Sequence, residues 1–205
     1  MTFSKPLHIK SFEQQRYEPK ILIKLLLFFV LSITTVCITA FSMDYGALLS
    51  EETDIALSGV DMEQIETVSR YGAIIFGTLS VWFILLIVVL ALFIIGKIFK
   101  LKVRVKSIFA AALLSFIVSY AFQLVALIIQ RIMGINIMET DITSLNIFDP
   151  GNQALGTISL TAFLSAWLFG IILHSTMHLN KRWSWIFVGI YILLFVILPV
   201  IFLSL

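Results

Sequence analysis

Two histidines in the segment His-Ser-Thr-Met-His have the spacing that most resembles a metal site in this sequence. Side chains at positions i and i+4 share one helix face, so His174 and His178 could both reach one Zn²⁺. The glutamate of a His-Glu-x-x-His site is absent, and no third ligand is evident near them. The cations Lys181 and Arg182 follow closely, a setting in which interfacial histidines are ordinary. The pair is therefore a weak metal candidate, and we predict neither a bound metal nor a cofactor.

A second group of candidates recurs at intervals of three or four residues within the apolar stretch 107–132. Its members are Ala112, Ser115, Ser119, Gln123, Ala126 and Gln130. The spacing places them on one narrow helix face, because an α-helix has 3.6 residues per turn. The opposite face suits lipid and carries Leu113, Ile117, Leu124 and Ile128. Small residues let helices approach closely, and serine or glutamine can hydrogen-bond across the contact. We interpret this face as a helix-packing surface; the alternative is that it lines a path for a solute.

The same pattern of small residues recurs in two other apolar stretches. The stretch 155–173 has it in Ser159, Ala162, Ala166 and Gly170, and the stretch 21–43 has a weaker version in Ser32, Thr35 and Thr39. The stretch 71–98 is almost wholly aliphatic, so we expect it to face lipid or a partner subunit. The other three helices should form the interior of a bundle.

The composition decides what kind of solvent these elements meet. Of the 205 residues, 60% are hydrophobic and only 13% are charged, whereas soluble domains carry about 25% charged residues. A single soluble core could not bury so much hydrocarbon. These values exclude a soluble enzyme, a disulfide-stapled secreted module and a disordered chain. The single cysteine, Cys37, cannot form an internal disulfide. We expect the lipid bilayer to be the main partner, and no nucleic acid.

Five stretches are long enough and apolar enough to cross a membrane. They cover residues 21–43, 71–98, 107–132, 155–173 and 183–205, and about 20 residues suffice for a helix to cross the hydrocarbon layer. Helices are required because lipid cannot satisfy unpaired backbone groups. We predict an all-α polytopic membrane protein with a bundle of five transmembrane helices in residues 21–205. Residues 1–20 form a separate cytoplasmic basic amphipathic segment.

The charged residues predict the orientation of the chain. Twelve of the 14 cations precede the first span or join spans two to three and four to five, whereas the other two connections hold nearly all the acids. The positive-inside rule then places the N-terminus inside and the C-terminus outside. In the first outer connection, Asp61 suits a helix N-cap, with Ile65 and Val68 on one face leading into span two.

Neither a proton relay nor a catalytic triad fits this arrangement. Aspartate and glutamate are absent from every span centre, where proton-coupled carriers commonly place a carboxylate or histidine. The acids are predicted outside and the histidines inside, so serine, histidine and aspartate cannot converge across the bilayer. We predict that the protein is not an enzyme.

Spans two to five have a layout that resembles a known family. A basic hinge, Gly96-Lys97-Ile98-Phe99-Lys100-Leu101-Lys102, leads into Lys106-Ser107-Ile108-Phe109, and an outer loop with Thr143-Ser144-Leu145-Asn146-Ile147-Phe148-Asp149 precedes two closely spaced hydrophobic helices. Over residues 71–200 this resembles the bacterial branch of the Yip1 family. The Asp-Leu-Tyr-Gly-Pro type motif of the eukaryotic members is absent, which argues against a role in vesicle trafficking or with small GTPases.

The resemblance implies a non-enzymatic protein that acts through partners. Some bacterial members accompany ABC-type exporters and protect against toxic peptides, so the implied partners are ABC transporter subunits, other membrane proteins or a second copy. Our leading hypothesis is an accessory or scaffold protein of a bacterial plasma membrane. The second is a small oligomeric permease or channel lined by Ser115, Ser119 and Gln123. The third is an intramembrane hydrolase similar to the CAAX-type proteases, but Glu51-Glu52 lacks the matching arginine of their motif.

Overall fold

The computed structural model describes residues 7–45 and 62–204, and these residues form helices joined by short connections. The elements before the central loop are α1 (Lys10–Tyr17), α2 (Ile21–Ser42), α3 (Met62–Ile98) and α4 (Val105–Ile132). A one-turn 3₁₀ helix, Leu145–Phe148, precedes α5 (Gln153–Thr157), α6 (Leu160–Ile171), α7 (Lys181–Ile192) and α8 (Leu198–Ser204). No strand is present in these ranges, so the all-α prediction is confirmed.

Within the described ranges, four helices are long and apolar enough to span a membrane. They are Ile21–Ser42, Glu63–Ile98, Val105–Ile132 and Lys181–Leu203. Each corresponds to one of the five predicted spans. The remaining predicted span, 155–173, is represented by the apolar helix Leu160–Thr176, which is shorter than the other four. Its seventeen residues rise about 25 Å, against a hydrocarbon layer of about 30 Å.

The predicted start of this shorter helix differs from the observed one for a local reason. The chain first forms α5 and then breaks at Ile158 and Ser159, both of which lie outside the helical region. The Ser159 hydroxyl accepts a hydrogen bond from the Ala162 amide at 3.1 Å. Serine is a favoured N-cap because it satisfies one of the unpaired amides of the first turn. Ser159 therefore begins a helix rather than contributing to its small-residue face.

Helix α3 begins nine residues before the predicted span at 71. Its 37 residues correspond to about 55 Å of helix, so it extends well beyond the apolar layer. In the overhanging part Arg70 pairs with Glu66 one turn earlier and lies over the Phe41 ring at 5.4 Å. These contacts connect the end of α2 to α3. The predicted N-cap, Asp61, lies outside the described residues.

Helix α4 forms the centre of the bundle, and its packing corrects part of the predicted lipid face. Leu113 and Ile117 were expected to face lipid but are buried, whereas Ile128 is exposed. The reason is that α1, α2, α3, α6 and the extension of α6 all pack on α4, and Leu113 and Ile117 lie in its first half. Phe28 of α2 is fully buried beside this half, with Trp82 at 5.0 Å between ring centroids.

Two π-helical turns interrupt the last helices. Ile172–Thr176 extends α6, and Leu193–Ile197 joins α7 to α8. The second precedes Pro199, whose ring would clash with the carbonyl four residues earlier in a regular α-helix. Widening the turn relieves this clash, and the Leu198 amide donates to the Leu193 carbonyl.

The shorter helix and its π turn connect the two ends of the bundle. At one end the Leu160 amide donates to the Thr143 carbonyl at 2.7 Å, within the loop that follows α4. At the other end Ser175 contacts Leu7. We call residues 7–18 the arm. The end of the helix bundle that contacts the arm is the arm end. The opposite end of the bundle, which carries residues 133–159, is the loop end.

Candidate functional site

The polar face predicted on α4 lines a cavity in the middle of the bundle. Ser115, Ser119 and Gln123 border a space of about 210 Å³ between α3, α4, α6 and α7. Thr161 and Ser165 of α6 complete its polar wall. They follow each other at i and i+4, whereas the small-residue face predicted on α6 consists of their neighbours Ser159, Ala162, Ala166 and Gly170. The cavity is smaller than the roughly 300–1,000 Å³ of ordinary small-molecule sites.

Gln123 also borders two other cavities toward the loop end. One, of about 220 Å³, lies between α2, α3 and α4, and the other, of about 170 Å³, lies beneath the loop. Thr35 and Tyr45 are both among the residues that line the first of these, and each carries a hydroxyl. Both are buried and have no hydrogen-bond partner in the described chain. Buried hydroxyls are normally satisfied, so this arrangement suits water or a small polar solute.

Gln130, the last member of the predicted face, hydrogen-bonds to the loop that follows α4. Its side chain is almost fully buried, and its Nε2 donates to the Thr140 carbonyl. The Asn146 side chain organises the same loop, because its Oδ1 accepts from the Asp141 amide at 2.9 Å. Thr143 then hydrogen-bonds the Thr161 hydroxyl at 3.1 Å. The loop is thus fixed over the ends of α4 and α6.

The small residues of α6 differ in burial, and one of them, Gly170, lies against both α7 and the arm. Ala166 is fully buried, Ala162 is half-buried, and Gly170 lies where α6, α7 and the arm meet. A Cβ atom at position 170 would overlap Val188 Cγ2 of α7 and would lie 3.3 Å from Leu7 Cδ2. Glycine therefore permits a close approach of α6 to α7 beside the arm.

Two hydroxyls in the π turn after α6 hold the arm. The Ser175 hydroxyl donates to the Leu7 carbonyl at 2.6 Å and accepts from the Ile9 amide at 3.0 Å. The Thr176 hydroxyl donates to the Phe12 carbonyl at 2.8 Å. These two residues lie between the two histidines that the sequence analysis considered as metal ligands. Their role was missed because the groups they bind are backbone atoms, which leave no pattern in the sequence.

Cations complete the attachment of the arm. Arg16 donates to the Thr176 carbonyl at 3.0 Å and to the Lys102 carbonyl at 2.9 Å. In the opposite direction, Arg104 donates to the carbonyls of Arg16 and Tyr17, each at 2.9 Å. The Ser107 hydroxyl donates to the Arg16 carbonyl at 3.0 Å. The arm is consequently bound to α4, to the connection before it and to the end of α6.

The histidines lie beside the arm and shape the turn after α6. The Nδ1 atom of His174 is 3.0 Å from the Leu179 carbonyl. His178 adopts a left-handed conformation with φ of 59° and ends the helical region. Burial lowers the pKa of His178, with Arg16 adding to the effect. Among residues 7–45 and 62–204, no three His, Cys, Asp or Glu side chains are grouped to hold a metal ion. Glu51-Glu52 lies outside these residues.

These elements define a class of protein. The chain is a multi-pass α-helical membrane protein whose helices border small cavities and whose N-terminal arm is fixed at one end of the bundle. The comparison with family models then identifies the family. The Yip1 domain matches residues 3–203, nearly the whole chain, and the chain belongs to this family. The resemblance noted in the sequence is thereby confirmed. No curated protein and no solved structure matches the chain.

Proposed function

We propose that this chain is a non-enzymatic accessory or scaffold protein of a bacterial plasma membrane that binds a partner membrane complex through α3. The proposal includes five membrane passes, with the N-terminus inside and the C-terminus outside. Support for the fifth pass comes from the helix Leu160–Thr176, which connects the loop end to the arm end. Support for the orientation comes from the cations of the arm and of both arm-end connections.

The exposed face of α3 is the observation that carries the proposal. Apolar side chains recur there at intervals of three and four residues, and each is more than half exposed: Phe76, Leu79, Phe83, Leu86 and Leu90. This is the spacing of a helix that packs along another helix. The other face of α3 contacts α2 and α4. One whole side of a span is therefore presented to lipid or to a partner.

An ABC-type exporter is the first partner to test. The family resemblance implies this partner, because some bacterial members accompany such exporters, and an exporter offers transmembrane helices as binding surfaces. Because the proposed contact is helix to helix, it needs no catalytic group in this chain. Self-association through the same face is the alternative form of the scaffold.

Site-specific photo-crosslinking tests the proposal in the native membrane. A photoreactive residue at Phe83 should give one discrete protein adduct, which mild-detergent purification and mass spectrometry identify. The control is the same residue at Ile186, which is exposed on α7. An adduct at Phe83 with a second copy would support the self-associating scaffold. Lipid adducts alone at both positions would contradict a scaffold acting through α3.

A small permease or channel is the second candidate, and the cavities favour it. Ser115, Ser119 and Gln123 border one cavity, and Gln123 also borders the cavity beside Thr35, whose buried hydroxyl has no partner among the described residues. In a Cys37→Ala background, a Ser119→Cys variant should react with a membrane-impermeant thiol reagent if water reaches this face. A Val118→Cys variant on the exposed side provides a control for lipid-facing sites. Absence of reaction from either side of the membrane would contradict this function.

A further inference from the structure

We propose that the groove between the arm-end termini of α3 and α4 binds the headgroup of an anionic phospholipid. The groove is about 620 Å³ in volume and lies where two membrane-spanning helices end. Lys97, Lys100 and Arg104 border it, and no carboxylate is among its described lining residues. A basic recess at the end of neighbouring spans is the type of site that binds phosphorylated lipid headgroups.

The backbone holds these cations on different segments around one space. Lys97 lies in the last turn of α3, and Lys100 has φ of 52°. This left-handed residue ends the helix, because the Leu101 amide donates to the Gly96 carbonyl at 2.8 Å. The chain then returns to Arg104, the N-cap position of α4. The tight turn between α3 and α4 thus places three cations along one groove, and a phosphate group forms its strongest hydrogen bonds with such cations.

The apolar part of the groove selects a lipid over a free phosphate ion. Phe93, Val105 and Ile108 border the same space as the cations, and Phe93 lies below Lys97 at 5.4 Å from the ring centroid to Nζ. A headgroup bound by the cations would leave its acyl chains along the apolar surface of α3 and α4. Inorganic phosphate would gain nothing from that surface.

Native mass spectrometry of the full-length protein, titrated with phosphatidylglycerol in detergent, tests the proposal. A Lys97→Gln, Lys100→Asn double variant removes two cations, and asparagine tolerates the left-handed conformation at position 100. Arg104 is left unchanged because it also holds the arm. Each cation contributes about fivefold to the binding of anionic lipid, so we expect about thirtyfold weaker binding.

The control is a Lys181→Gln, Arg182→Gln variant, which removes two exposed cations from the same end outside the groove lining. We expect less than about threefold loss for this control. Equal losses in both variants, no loss in the groove variant, or equal competition by inorganic phosphate would each overturn the proposal. Should the double variant fail to fold, Lys97→Gln alone should show the fivefold loss. Phosphatidylcholine should bind wild type and both variants alike.

Discussion

Hydroxyl side chains serve different purposes in the middle of the bundle and at the arm end. In the middle of the bundle, two hydroxyls bond to their own helices: Ser115 donates to the Ala112 carbonyl at 3.0 Å and Thr39 to the Thr35 carbonyl at 3.0 Å. At the arm end, Ser175 and Thr176 bond to residues more than 160 positions away. The residue types are the same, but only the second group joins distant parts of the chain.

The difference follows from the state of the backbone that each hydroxyl meets. Inside a long helix nearly every amide and carbonyl is already paired, so a hydroxyl can only share a carbonyl of the preceding turn. Leu7 and Ile9 precede α1 and have no helical partners for the groups that Ser175 binds. The part of the arm that precedes α1 therefore forms hydrogen bonds with side chains, which the paired backbone of a regular span cannot do. The comparison predicts that stability depends on hydroxyls at the arm end and little on those in the spans.

The largest effect is expected from a Ser175→Ala, Thr176→Val double variant. It removes three hydrogen bonds to the arm and leaves three backbone groups to find other partners. At about 1 kcal/mol per bond, the free energy of arm docking should fall by about 3 kcal/mol. This corresponds to roughly hundredfold faster amide exchange in α1, measured by hydrogen–deuterium exchange in detergent.

A Ser115→Ala variant is the matched control for this experiment. Its hydroxyl is equally buried but bonds only within α4, so the change should cost about 0.5 kcal/mol or less. Equal exchange rates in α1 for the double variant and the control would refute the distinction between the two regions.

A Gly170→Ala variant tests whether the close approach at the arm end is needed. The added Cβ would overlap Val188, whose branched side chain has little freedom to move. Overpacking of this kind costs about 1–3 kcal/mol, so the apparent melting temperature should fall by about 2–12 °C. Gly189→Ala is the control, because nothing lies within 4 Å of a Cβ there. Alanine favours a helix over glycine at both positions, so a melting temperature that falls equally in both variants would show that the loss does not come from the contact with Val188.

Different physical signals explain which features the sequence predicted. Four of the five predicted spans correspond to long apolar helices of the structure. They could be predicted because the length of an apolar segment is read directly from consecutive residues. The polar face of α4 was found because its 3.6-residue period is local, and the structure brings Ser115, Ser119 and Gln123 to one cavity. Attachment of the arm could not be predicted, since Ser175 binds backbone atoms far away in the chain. The burial of Leu113 was missed for the same reason, because it depends on tertiary packing.

Acid should weaken the arm end more than the spans. The pKa of His178 is lowered from 6.5 in the folded protein, mainly by partial desolvation of its otherwise exposed side chain and also by Arg16, His174 and His8, while Glu13 opposes the shift. The unfolded state then binds the proton more tightly, so stability falls as the pH drops below 6.5 and levels off below the folded pKa. We expect a lower melting temperature at about pH 5.5 than at about pH 7.5.

The variant His178→Asn should reduce this pH dependence, because asparagine does not titrate and tolerates the left-handed conformation at that position. A pH dependence that is unchanged in the variant would assign the effect to other groups, and His178 would then have no role in it.

The smallest effect is expected in the middle of the bundle, at Thr35. Its buried hydroxyl has no partner in the described chain, and valine has nearly the same shape. Removing an unsatisfied polar group should leave the melting temperature unchanged or raise it by the equivalent of about 1 kcal/mol or less. If the cavity beside Thr35 binds water or a solute in the working protein, Thr35→Val would instead destabilise the bundle. Ser32→Ala, which removes a buried hydroxyl bonded within α2 at a residue outside the cavity lining, is the control that separates these outcomes. A loss confined to Thr35→Val would show that water or a solute in the cavity needs that hydroxyl, as the permease or channel requires.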